Sequence, residues 1–111
     1  MANPNTPKAE QAAPQEGAPR LKAVKVEANT VGEAMDKAGG GAGQAELDWV
    51  LNPANFAKAA KMLKGGSYYF FPNAGDGVLV PSVRWNAGEF WRSSALRDDW
   101  WNSIDRVVVR D

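Results

Sequence analysis

The chain has 111 residues, with 13 basic and 13 acidic side chains, no histidine and no cysteine. A formal net charge of zero argues against a strong sequence-independent hold on nucleic acid or an anionic membrane, because both rest on a basic surplus. The missing residue types exclude a Ser-His-Asp triad, disulfides and thiolate or imidazole metal sites, so the expectation is a protein that is not an enzyme and carries no cofactor.

No apolar run approaches the roughly 20 residues that a membrane-spanning helix needs. Met1 to Pro7 lacks the basic and apolar regions of a signal peptide, and a cytoplasmic or virion location is expected. Residues 1–20 contain Pro4, Pro7, Pro14 and Pro19 but no aromatic or branched apolar side chain. Such a segment buries too little to offset its ordering entropy. It reads as an extended or disordered arm that orders on a partner.

Leu21 to Ala28 reads as a strand, with Val24, Val26 and Ala28 alternating with Lys25 and Glu27. Thr30-Val-Gly-Glu33 fits a capping box, and Val31, Ala34, Met35 and Ala38 then fall on one face, predicting a short helix over 31–38. Gly39 to Gln44 reads as a flexible Gly-rich connector. It is not a phosphate loop, since no Gly-Lys-Ser/Thr opens a following helix. The organisation expected is an arm at 1–20, a strand-helix segment with its linker at 21–44, and a compact α+β domain at 45–111. In that domain Trp49, Val50 and Leu51 anchor a helix over 53–64. Asn52 caps it, Pro53 opens it and Gly65 ends it. Phe56, Ala59, Ala60 and Leu63 form its apolar stripe, and Lys58, Lys61 and Lys64 lie around the other side as a solvated face.

From Gly65 onward, aromatic and β-branched runs alternate with Gly, Asn and Asp clusters, the punctuation of a small antiparallel sheet. No aromatic residue precedes Trp49, which places the core here. Strands are expected at 67–72, 77–85, 88–93 and 104–110, with hairpin turns at Asn73–Gly77 and Asn86–Gly88. Pro81 predicts an edge position or a bulge for the second of them. The fold class is therefore α+β: about four short strands, one or two short helices and an N-terminal arm.

Gly88-Glu-Phe90 followed by Asp98-Asp99-Trp-Trp-Asn102-Ser103-Ile104 resembles the second half of a βγ-crystallin Greek-key motif, and Phe70 to Gly77 is similar to the first half. Gly75 stands where that motif has an aromatic, and Asn102 replaces its Ser or Thr. The resemblance implies a calcium loop at Asp98 and Asp99. Read without it, Asp76, Asp98 and Asp99 are turn residues.

Trp85, Trp91, Trp100 and Trp101 are many tryptophans for so small a sheet, and Arg84, Arg92, Arg97, Arg106 and Arg110 interleave with them. Neighbours on a strand face opposite ways, so Phe90-Trp91 and Trp100-Trp101 should each send one ring away from the core. At least two large aromatics are expected to face outward. Trp85, Trp91, Arg92, Arg97, Trp100 and Trp101 are the candidate partner-binding residues, with no catalytic or metal residues. The function expected is a structural or interaction subunit of a larger assembly, in contact with other protein subunits and not with a membrane. By analogy of arm plus small domain, an accessory virion component such as a capsid cement, decoration or tail protein fits. The rivals are a carbohydrate- or calcium-binding β module and a single-stranded nucleic-acid binder.

Overall fold

A computed structural model describes residues 18–111. Nearly all of the expected arm lies outside the described residues. Five strands, β1 (Leu21–Val24), β2 (Tyr68–Phe70), β3 (Leu79–Asn86), β4 (Glu89–Leu96) and β5 (Arg106–Arg110), form one sheet in the order β1-β5-β2-β3-β4. With three short helices, α1 (Val31–Ala38), α2 (Gln44–Leu51) and α3 (Phe56–Met62), the fold is α+β. Its sheet is mixed: neighbours are antiparallel except β2 and β5, which run parallel. The order of the last four strands is that of a Greek key, but the direction of β5 is not. Residues 97–105 cross the sheet instead of returning as a hairpin, so the crystallin-like motif is not formed.

The sheet is covered on both faces. Tyr69, Phe71, Val83, Phe90 and Val108 pack with Leu47, Val50, Ala59 and Leu63 of the α2 and α3 side. Phe70, Val80, Val107 and Val109 pack with Val31, Ala34 and Met35 of α1, and with Trp101. Double coverage is why Tyr69-Phe70-Phe71 is a continuous buried run without alternation.

Helix α1 starts as its capping box dictates: the Thr30 hydroxyl accepts from Glu33 N at 3.2 Å, and the Glu33 carboxylate accepts from Asn29 N at 2.8 Å. Helix α2 has no Ser, Thr, Asp or Asn at its N-cap. Gly43 occupies that place, and the Glu46 carboxylate reaches back to its N–H at 2.7 Å. The expected helix over 53–64 opens as one 3-10 turn, Pro53–Asn55, with the Asn52 side chain accepting from Ala54 N at 3.1 Å, and becomes α-helical only from Phe56.

Two expectations change for physical reasons. The Gly-rich connector is not loose, because it crosses the sheet end from the α1 side to the α2 side under backbone hydrogen bonds. Arg110 N donates to Gly40 O, Ala42 N to Val108 O and Asn73 N to Ala42 O, and Ala42 is fully buried. A Cβ on Gly41 would stand 2.5 Å from Pro72 Cβ and Cγ, so glycine serves close approach at that point. Pro81 lies in β3, an interior strand, and its eight ladder pairs with β4 contain no bulge. Pro81 is tolerated because β2 ends at Phe70. Its missing N–H falls beyond the β2 ladder, its carbonyl still accepts from Phe71 N, and Phe71 O accepts from Ala74 N instead.

Candidate interaction site

The crossing segment 97–105 decides what the sheet exposes. It is fixed at its start to α1, with Gly32 N donating to Arg97 O and Val31 N to Asp99 O. Arg97 reinforces this through Asp36 at 2.8 Å and Gly32 O at 3.2 Å. Trp101 then turns inward. It is 8% exposed, its ring centroid lies 5.5 Å from that of Phe70, and its indole N–H donates to Val26 O at 2.8 Å. Its neighbour Trp100 is 85% exposed. Phe90 and Trp91 divide the same way, with Phe90 buried and Trp91 58% exposed. One ring of each pair is turned in and the other out.

The six candidate residues therefore do not form one surface. Trp101 belongs to the core, and Arg97 is a tether between the crossing segment and α1. Trp85 lies on the α2/α3 side, edge-on to Phe90 at 4.7 Å and to Phe56 at 6.4 Å, with 40% of its surface exposed. Arg92 is on that face too, beside Gly75, Asp76 and Pro81 around a shallow recess. Trp91 and Trp100 lie on the α1 side.

There the crossing segment covers only half of the sheet and leaves a groove of about 270 Å³, with Phe70, Ser82, Ser93 and Ala95 along its floor and Asp99, Trp100, Asn102 and Asp105 along one wall. At its open end Tyr68, Arg84 and Trp91 form a row across β2, β3 and β4, and the Arg84 guanidinium sits 5.7 Å from the Tyr68 ring centre. Two polar groups mark the groove. Ser82 is 1% exposed, and its hydroxyl finds no hydrogen-bond partner among the described residues. Asp105 is buried and accepts from Tyr68 N at 3.2 Å. Burial pushes its carboxyl above the usual range, and the Tyr68 N–H and the Arg106 charge recover only part of that. Both groups escaped the sequence reading: a serine inside an apolar strand and an aspartate before one carry no motif. Arg84 was visible only as one of five interleaved arginines.

The acidic candidates are turn chemistry. Asp76 accepts from Val78 N at 2.9 Å and from Leu79 N at 3.3 Å, bonds that hold its carboxyl below the usual range. Asp99 accepts from Leu96 N at 2.9 Å. Among the described residues no group of three or more acidic side chains is placed to hold a metal ion, and no helix is long and apolar enough to cross a membrane. No family model matches the chain, and comparison with curated proteins and with solved structures gives no match.

Proposed function

We propose that this chain is a non-enzymatic interaction subunit of a larger assembly, docking on another protein subunit through the uncovered end of its sheet and the crossing segment. One observation carries the reading. Among the described residues the large apolar side chains left exposed are Val78, Leu79, Trp85, Trp91, Leu96, Trp100 and Ile104, all between the end of β2 and the start of β5, while the helices contribute none. Scattered exposed apolar residues need no explanation; what calls for one is the pair of tryptophans on the α1 side, Trp100 on the groove wall and Trp91 at its open end. Arg84, between Tyr68 and Trp91 on the same face, adds another residue type enriched at protein interfaces. An accessory virion component remains the analogy that suits a small docking domain behind a proline-rich segment. The test is the double substitution of Trp91 and Trp100 by Ala in the full chain. The melting transition should stay unchanged while the partner subunit no longer co-purifies. Retained binding, or a native chain that travels alone, would overturn the proposal.

The unpartnered Ser82 hydroxyl beneath an exposed tryptophan favours a second reading, a small polyhydroxylated ligand stacked on Trp100 with its hydroxyls on Ser82, Asn102 and Asp105. Titration of the full chain with a panel of oligosaccharides, repeated on Ser82→Ala, tests it; equal heats for both proteins, or none, would exclude it.

A further inference from the structure

The free edge of β4 has its own hydrogen-bonding logic. Ala87 and Gly88 form a two-residue hairpin loop with φ of 53° and 83°, so Asn86 and Glu89 close it as a hydrogen-bonded pair, and bonded and non-bonded pairs alternate from there. Residues 91, 93 and 95 thus bond to β3, while Phe90, Arg92 and Ser94 turn N–H and C=O away from it. Pro81 checks this independently. It stands opposite Ser94, has no N–H to give, and directs its carbonyl to Phe71 N of the opposite neighbour, so Ser94 must face the open edge. Leu96 ends the open row, because its N–H donates to the Asp99 carboxylate and its carbonyl accepts from Asp99 N.

Exposed edges normally carry charged side chains, above all lysine, a proline, a bulge or a cover; the charges on β4 are Glu89 beside the turn and Arg92. β4 has neither lysine nor proline. Its ladder with β3 is one-to-one over all eight pairs, and no other strand among the described residues pairs with it. We propose that a second copy of the chain pairs antiparallel along β4, about a two-fold axis at Ser93. This rests on the assembly reading above and names one partner within it.

The register follows from faces and charges. Pairing through the outward groups keeps each face continuous, so even-numbered residues must meet even-numbered ones. Two such registers overlap nearly the whole strand. One is centred on Arg92 and sets that guanidinium directly against its own copy, a repulsive cross-strand pair. The other is centred on Ser93. Arg92 then exchanges backbone bonds with Ser94 of the second copy, Trp91 covers Ala95, and the Phe90 side chain meets that of Leu96, whose backbone groups stay with Asp99. Trp91 and Leu96, 58% and 48% exposed in the single chain, both become covered, and no like charges oppose each other.

The chain has no cysteine, so Ser93→Cys introduces its sole thiol. At a non-bonded antiparallel pair the Cα separation of about 4.5 Å lies at the short end of the range a disulfide spans. Light scattering behind size exclusion of the full chain should give the mass of two chains. Mild oxidation of Ser93→Cys should give a covalent dimer, and Arg92→Cys under the same conditions should not. Arg92→Pro removes an N–H that faces only the open edge, so it should run as a single chain with an unchanged circular dichroism spectrum. A single-chain mass at every concentration, or cross-linking at Arg92→Cys as readily as at Ser93→Cys, would overturn the pairing. A single-chain mass with partner binding still dependent on Trp91 and Trp100 removes this inference alone; loss of both removes the assembly reading as well.

Discussion

Substituting Trp101 by alanine separates the two roles of the adjacent tryptophans. Removing a buried Trp side chain costs about 3–5 kcal/mol in transfer and cavity terms. Here the ring lost packs on Phe70 and belongs to the α1-side core with Val107, Val109 and Met35. The indole N–H bond to Val26 O adds about 1 kcal/mol. Against a total of about 5–15 kcal/mol for a domain, the variant sits close to unfolding. At about 4–8 °C per kcal/mol for a domain of this size, its transition should fall by roughly 15 °C or more. Trp101→Phe retains most of the packing and loses the donor, so about 1 kcal/mol isolates the hydrogen bond. Trp100→Ala, at a position 85% exposed, should stay within about 0.5 kcal/mol of the parent. Urea titration followed by far-ultraviolet circular dichroism is the suitable assay, since tryptophan fluorescence changes with the substitutions themselves. Equal losses for Trp100→Ala and Trp101→Ala would refute the division into one core ring and one contact ring.

Gly41→Ala should cost about 1–3 kcal/mol in the same titration through overpacking, because its Cβ would stand 2.5 Å from two atoms of Pro72; a loss below about 0.5 kcal/mol would show that the passage between the two faces yields. Glu46 gives a pH test. Burial pushes its carboxyl up, but the hydrogen bonds from Arg110 and from Gly43 N outweigh this and hold it below the usual range. Its folded value lies below the unfolded one, so it contributes stability above the ordinary glutamate range that is lost as pH falls through the folded value. Glu46→Gln should therefore cost about 1 kcal/mol near neutral pH and little in strong acid, and a gap constant across that range would contradict the assignment.

The sequence made the local elements legible wherever a single residue type determined them. Thr30 and Glu33 located α1, Asn52 and Pro53 located the 3-10 turn that leads into α3, and Ala87-Gly88 located the tight hairpin. Helix α2 was hidden because its cap is a glycine served by a carboxylate three residues on, and glycine in a run of glycines reads as linker. The parallel pairing of β2 with β5 was hidden for a different reason. It depends on where residues 97–105 travel, and their course is set by long-range contacts at Val31, Gly32, Val26 and Phe70 that no local pattern announces. The inward and outward tryptophans were legible in number but not in identity. Strand parity requires that one of two neighbours faces out, and only the path of the chain decides which.

That path also accounts for the site. Had β5 followed β4 by a hairpin, residues 97–105 would have stayed at one end of the sheet and left the α1-side face of β2, β3 and β4 to α1 alone. Instead the segment leaves the end of β4, crosses that face with Trp101 closing the core over Phe70, and leaves Trp91 and Ser93 exposed. The strip left open is bounded by Trp100 on the crossing segment and by Tyr68, Arg84 and Trp91 across the strands. The same crossing carries Asp99, whose carboxylate occupies Leu96 N and limits the free β4 edge to Phe90, Arg92 and Ser94. A single connection thus sets the extent of both exposed features, and a variant that loosens it at Arg97, its tether to Asp36 and Gly32 O, should alter docking and edge pairing together.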